Sequence, residues 1–181
     1  VNDIQEELAF STLAHIRIYN DLPEDRSNLL VNYYQGDKLV NLRHPKVIQY
    51  TEGIVNADKV INTVSQLDEL AEITAQVNMN VFYRNGLTQV NGMLAGIDAT
   101  MEHRLFSIAE SMKEGSWVAL DHRSDGIILG VGLAKKLSLG MNDNVVVKTA
   151  DGVTRNFKII GLLETSLASV DNGKAFIQIN V

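Results

Sequence analysis

The sequence GIILGVGLAKKLSLGMNDNVVVKTADGVTRNFKIIG, residues 126–161, predicts a strand, a short helix, a turn and then a hairpin. The apolar run at 127–129 is typical of a buried strand. Leu133 and Leu137 stand four residues apart, so they share one face of the short helix. The alternation that begins at Val145 favours a strand with one buried face. This segment predicts a scaffold, because it holds no usual nucleophile beside a base.

Glycines mark the predicted turns. Gly140 is expected to end the short helix in a left-handed conformation, since it has no Cβ to clash. Asp151-Gly152 predicts a two-residue hairpin turn of type I′, which needs positive φ at both central residues. Asn85-Gly86 predicts a second hairpin between strands at 76–83 and 88–97.

Helical spacing is clearest over residues 56–73, with Asn56 as the predicted N-cap and an apolar stripe along one side. A second helix is predicted over 99–112 and is ended by Gly115, and a last strand is predicted over 174–181. Strands separated by helices predict an α+β fold with helix packed on sheet.

Composition excludes several classes of function. The 181 residues carry a formal net charge of −6, which argues against a nucleic-acid-binding surface. The absence of cysteine excludes disulfides and thiolate chemistry. No apolar run approaches the ~20 residues that span a bilayer. The chain begins abruptly at Val1 and ends in the strand-like AFIQINV, so we expect it to be a piece of a longer protein.

One loop holds a candidate catalytic group. Asp121, His122 and Asp125 lie together, and a carboxylate beside a histidine can act as general acid and base in a small hydrolase. The alternative is a solvated turn, which we favour because no nucleophile motif accompanies these residues. Trp117, just before this loop in a piece predicted to be extended, is expected to pack in the core.

Two further patterns are weak. His15, His44, His103 and His122 stand at no metal-ligand spacing, so no metal site is predicted. The glycines of 130–132 follow a strand and precede a helix, as in a dinucleotide-binding loop, but the third glycine of that fingerprint is missing. We therefore expect them to shape a tight turn between strand and helix.

The order of several elements resembles a known family. GMLAGIDATME at 92–102 is followed by GIILGVGLAKKLSLGMNDNVVV at 126–147 and FKIIGLLETSLASVDNGKAFIQI at 157–179, and AHIRI at 14–18 also fits. Together they resemble the extracytoplasmic domain of bacterial ABC transporter permeases. The branch that looks most similar is the lipoprotein-releasing LolC/LolE type, with MacB-like and FtsX-like permeases as wider relatives.

The resemblance implies an arrangement of subdomains. Residues 1–11 would continue a membrane span as a helix, and 12–88 would form the first half of a porter-like subdomain of helix on sheet. Residues 89–175 would form an inserted β-rich, sabre-like subdomain. Residues 176–181 would begin the return to the porter-like part. The helix–strand unit that completes this part in the family is absent from the sequence, so we expect either that the sequence stops short of it or that the C-terminal half is rebuilt.

The resemblance also implies a function. Such domains are not enzymes and need no cofactor or metal; a cytoplasmic ATPase acts on them through the parent membrane protein, which pairs with a second permease subunit. The expected partners are a lipoprotein client or a periplasmic carrier, and the alternative is MacB/FtsX-like efflux or regulation of envelope enzymes. Relatives that capture a carrier have a long hook in the hairpin whose tip is short here. That tip is the candidate site of partner contact: Lys148, Asp151, Gly152 and Arg155.

Overall fold

The computed structural model describes residues 16–19, 53–68, 70 and 72–179. These residues contain seven strands, four short α-helices and two 3-10 helices, so the predicted α+β class is confirmed. In chain order the elements are α1 (Ala57–Val64), β1 (Gln76–Asn85), β2 (Thr88–Ile97), α2 (Ala99–Leu105), a 3-10 helix (Ser107–Ser111), β3 (Met112–Gly115), a second 3-10 helix (Trp117–His122), β4 (Gly126–Gly130), α3 (Val131–Leu137), β5 (Asn144–Thr149), β6 (Thr154–Leu163), α4 (Ala168–Asp171) and β7 (Lys174–Gln178).

Six of the strands close into a barrel. β1 pairs with β2 and β5, β2 with β7, β7 with β4, β4 with β6, and β6 with β5. Each of the six therefore has a neighbour on both sides, and β3 adds to the C-terminal end of β6. Closure satisfies the backbone N–H and C=O groups of the paired residues within the ring and removes exposed sheet edges there.

Inward side chains fill the barrel. Ile127 of β4 is fully buried, and so are Leu133 and, at 1% exposure, Leu137 of α3, which packs against the same cluster. Tyr83 is also fully buried, and its hydroxyl donates to the backbone oxygen of Met93 at 2.8 Å. That bond satisfies the polar end of the ring, while burial raises the pKa of Tyr83 far above its ordinary value. The predicted shared face of α3 is thus confirmed.

Part of the outer surface of the barrel is covered by α2 and the two 3-10 helices. Trp117 lies in this cover at 2% exposure, and its ring centroid is 5.1 Å from that of Phe176 on β7. Its indole N–H donates to the backbone oxygen of Ala99 at 3.2 Å. The expectation of core packing is confirmed, although Trp117 begins a 3-10 helix and not an extended piece.

Both predicted helices are too long. α1 covers less than half of the predicted helix 56–73. None of its residues is buried, so burial of the apolar stripe does not stabilise a longer helix. Asn56 precedes it in a left-handed conformation, with φ 58°, and its side chain makes no capping bond. The predicted helix 99–112 ends at Leu105, because Phe106 takes an extended conformation; a 3-10 helix follows, and Met112 pairs with β6 as the first residue of β3.

The end of α3 differs from the prediction. Ser138, with φ 53°, takes the left-handed position that was expected of Gly140. The amide of Leu139 donates to the backbone oxygen of Ala134 at 3.0 Å, which is the longer bond of a Schellman motif. Since Leu139 also packs against the barrel cluster, the apolar contact decides where the helix ends.

Both hairpin turns are shifted from their predictions. The β1–β2 turn is centred on Gly86 and Leu87, one residue later than predicted, and Gly86 alone of the two has positive φ, as in type II′. The β5–β6 loop spans four residues, 150–153, and not two. Gly152 has φ 87°, whereas Asp151 does not take positive φ, so the predicted type I′ turn is wrong.

Glycines at the strand-to-helix turn of 130–132 allow a close approach. A Cβ at Gly130 would overlap the backbone oxygen of Asp171, and one at Gly132 would overlap the side chain of Asn172. Lys136 adds a hydrogen bond to the backbone oxygen of Asn172 at 3.0 Å. These glycines thus let α4 pack against the start of α3.

Candidate partner-binding site at the β5–β6 loop

The β5–β6 loop is an exposed and well-defined turn. The amide of Thr149 donates to the backbone oxygen of Val153 at 2.9 Å, and the amide of Gly152 donates back to Thr149 at 3.1 Å. Asp151 and Gly152 are exposed, and Val153 is 57% exposed although it is apolar. The loop therefore presents one carboxylate and one apolar side chain on a fixed backbone.

The two cations of the predicted site lie on opposite sides of the strands. Lys148 pairs with Phe82 across β1 and with Thr154 across β6, and it points away from the barrel. Arg155 pairs with the buried Val147, so it is on the face that turns inward, at the end of the barrel where it is exposed. The four predicted residues share the loop region but do not form one surface.

A larger exposed surface lies next to Lys148. The outward positions of β2, β1, β5 and β6 carry amides, a few apolar groups and three cations. The signal in the sequence is the alternation of β1: Val81 and Tyr83 are buried, so Phe82 and the residues two apart from it along β1 face outward. We call this surface the amide face and define it by Gln76, Asn78, Asn80, Phe82, Arg84, Gln89, Asn91, Met93, Asn144, Val146, Lys148, Thr154, Asn156 and Lys158.

The loop with the candidate hydrolase residues is held by structural contacts. Asp121 accepts a hydrogen bond from the hydroxyl of Thr100 at 2.5 Å. Asp125 accepts two bonds from Arg123, each 3.0 Å long, and this guanidinium lowers the pKa of Asp125 below its usual range. His122 is exposed. The loop thus resembles the solvated turn, because a general acid needs a raised pKa rather than a lowered one.

Histidines do not gather into a metal site in the part of the chain that the structure describes. No group of three or more His, Cys, Asp or Glu side chains there is placed to hold an ion. His103 and His122 are exposed, and His15 and His44 lie outside the described residues.

One buried acid lies under the cover of the barrel. Glu102 of α2 is 7% exposed, and burial raises its pKa to about 7, with Lys174 opposing the rise and Asp98 adding to it. Burial also lowers the pKa of Lys174, whose ammonium lies 5.0 Å from the centre of the Phe176 ring. Asp98 caps α2 by accepting from the amide of Met101 at 3.0 Å, which gives the Gly-Ile-Asp element its structural role.

The family follows from comparison with known proteins. The model of the MacB-like periplasmic core domain matches residues 2–180. The chain belongs to this family. No curated protein matches the sequence.

One solved structure supports the fold. The extracellular domain of the noncanonic ABC-type transporter YknZ from Gram-positive bacteria superposes with a TM-score of 0.51 at 15% identity, over 68% of this chain and 62% of that chain. A domain of a protein described as a permease from Porphyromonas gingivalis gives a TM-score of 0.44 at 10% identity, over 66% of this chain and 51% of that chain. This chain thus spans less than two thirds of either structure.

The MacB-like domain is an extracytoplasmic part of an ABC-type permease of the inner membrane. None of the helices in the described residues is long and apolar enough to cross a bilayer.

Proposed function

We propose that this domain couples cytoplasmic ATP hydrolysis to the release of lipoproteins from the inner membrane. Support comes from the order of the segments 92–102, 126–147 and 157–179, which resembles that of LolC/LolE-type permeases. The observation that carries the mechanical part is the closed ring of six strands.

A closed barrel suits the transmission of movement. Hydrogen bonds run continuously around the ring, so a displacement applied to one strand is shared by its neighbours instead of being lost at a free edge. The β5–β6 loop is attached directly to this body, since Thr149 pairs with Val81 in the middle of β1. On this proposal the loop, with Asp151 and Arg155 beside its tip, contacts the client or a carrier as the barrel moves.

A second candidate function is efflux or the regulation of envelope enzymes, as in MacB-like and FtsX-like permeases. The short loop favours it, because the four residues 150–153 leave no room for the long hook that relatives use to capture a carrier. The same domain would then pass its movement to a different extracytoplasmic protein. The proposed division into subdomains at 12–88, 89–175 and 176–181 is the same for both candidate functions.

Reconstitution separates the two candidates. The full permease and its ATPase are placed in proteoliposomes that contain an acylated lipoprotein, and release of that protein on addition of ATP is measured. The control is the same protein without its acyl chains. ATP-dependent release of the acylated form alone is the expected result; ATP hydrolysis that proceeds with no release of it overturns lipoprotein release.

Charge reversal then tests the loop. We expect Asp151→Lys with Arg155→Glu to reduce release while the rate of ATP hydrolysis stays the same, because the loop lies on the barrel and not at the ATPase. Lys135→Glu on α3 is the matched control, since Lys135 is exposed and belongs to a different element of the fold. Equal release by both variants would show that the loop is not the site of partner contact.

A further inference from the structure

The amide face lacks acidic side chains although the chain is acidic. The formal net charge is −6, yet the outward positions of the four strands include Arg84, Lys148 and Lys158 and no Asp or Glu. Most other outward positions there are Asn or Gln. An ordinary solvated sheet face mixes charges of both signs, so this composition indicates a surface adapted to a particular partner.

The central cations of the face have no ion pair among the described residues. The two ion pairs in that part of the chain join Lys113 to Glu164 at 2.8 Å and Arg123 to Asp125 at 3.0 Å. Arg84 and Lys148 belong to neither and are exposed. Lys158, nearer the edge, lies close enough to Asp125 to help lower the pKa of that carboxyl. The unpaired charge of the face is therefore concentrated on Arg84 and Lys148.

An apolar centre lies between the cations and the amides. Phe82 stands between Asn91 of β2 and Lys148 of β5 in one row across the strands. Next to it is a shallow depression of ≈ 460 Å³, whose lining includes Phe82, Asn91, Met93 and Ala150 of the β5–β6 loop. Met93 is 41% exposed. The depression can accept one apolar side chain beside the positive charge.

We propose that the amide face docks an acidic segment of a partner protein, with carboxylates on Arg84 and Lys148 and an apolar side chain between Phe82 and Met93. The amides suit a polypeptide, because Asn and Gln can both donate to and accept from a peptide backbone. At Phe82 and Lys148 the barrel strands have neighbours on both sides, so a partner seated at these two residues binds through side chains and cannot add a strand there. The proposal does not depend on which client the permease moves.

A binding experiment on the chain tests this. The probe is a fluorescent synthetic peptide in which Glu and Asp alternate with Leu and Phe, and the reference probe has Gln and Asn in place of the acids. Fluorescence anisotropy is measured for the unaltered chain, for Arg84→Glu with Lys148→Glu, for Phe82→Ala, and for the matched control Lys135→Glu. Vesicles of phosphatidylglycerol form a second arm, since anionic lipid offers charge without a peptide.

We expect the acidic peptide to bind, the reference peptide not to bind, and added salt to weaken binding. The double charge reversal should weaken binding by roughly tenfold or more, because like charges then face each other, and Lys135→Glu should leave it unchanged. Phe82→Ala should weaken it while preserving the preference for acids. Equal weakening by Lys135→Glu, no binding of the acidic peptide, or binding of the vesicles alone would each overturn the proposal. Failure of lipoprotein release in proteoliposomes would leave these results as they are.

Discussion

Two parts of the outer surface of the barrel differ in composition and in whether helices cover them. On β4, β7 and the end of β2 the outward residues are apolar, and α2 and the 3-10 helices cover them with Trp117 at the centre. On β1, β5 and the start of β2 the outward residues are amides and cations, and Phe82 stays only half-buried. Within the described residues, one surface of the ring thus contributes to its stability, and the other is the surface that we propose binds a partner.

The difference shows what a barrel can assign to each surface. Inward side chains form the core, and pairing between strands satisfies the backbone hydrogen bonds of the ring. Neither outer surface is therefore needed to close the ring. Cover on one side adds stability, whereas the side that the other described residues leave uncovered carries charge that would be costly to bury without a partner. Substitutions on the two sides should therefore have effects of very different size.

The largest effect is expected at the centre of the cover. Trp117→Ala should lower the free energy of unfolding by ~3–5 kcal/mol, since it removes a buried ring and its contact with Phe176. Urea unfolding followed by circular dichroism measures the change. Trp117→Phe is the control that keeps an aromatic ring and loses the bond to Ala99. A loss below ~1 kcal/mol for the alanine variant would mean that the cover contributes little.

The interior sets a reference for both surfaces. Leu137→Ala should cost ~2–4 kcal/mol, because Leu137 is buried against the barrel cluster and leaves a cavity when it is truncated. The exposed Lys135→Ala on the same helix should be nearly neutral. If Leu137→Ala costs less than ~1 kcal/mol, α3 does not belong to the core of the barrel.

The cover should also respond to pH. The pKa of Glu102 is raised by burial from 4.5 to about 7, so the folded state holds its proton over a range in which the unfolded state releases it. Stability from this group is present below pH 4.5 and is lost as the pH rises through about 7. Glu102→Gln should remove that loss, which is on the order of 1–2 kcal/mol after allowance for solvent screening. Urea unfolding across this range measures it. Parallel curves for the two proteins would show that Glu102 titrates normally.

The sequence predicted the interior better than the turns or the surfaces. Alternation and helical spacing identify inward residues such as Val145 and Leu133, because burial of one face leaves a period in the chain. In a turn, packing determines which residue takes the left-handed conformation; here it is Ser138 and not Gly140. The sequence also suggested a contact site at the β5–β6 loop, which stays a prediction.

The amide face escaped prediction for a related reason. Its residues are spread over four strands, so their common surface exists only once the pairing is known. Nothing local marks Asn91 or Arg84 as neighbours of Lys148, because the distances along the chain are long. Alternation marks the buried side of β1, whereas no local pattern groups its outward residues with those of the other three strands.

The smallest effect is expected on the amide face. Arg84→Ala and Phe82→Ala should each change the free energy of unfolding by less than ~1 kcal/mol, since Arg84 is exposed and Phe82 is only half-buried. Urea unfolding measures this beside Trp117→Ala, so the two outer surfaces are compared in one experiment. A loss at Phe82 as large as that at Trp117 would mean that the face is covered within the chain itself, and the contrast between the two surfaces would fail. Near-neutral stability together with lost peptide binding is the pattern expected of a partner-binding surface, because its side chains contribute to binding and little to the fold.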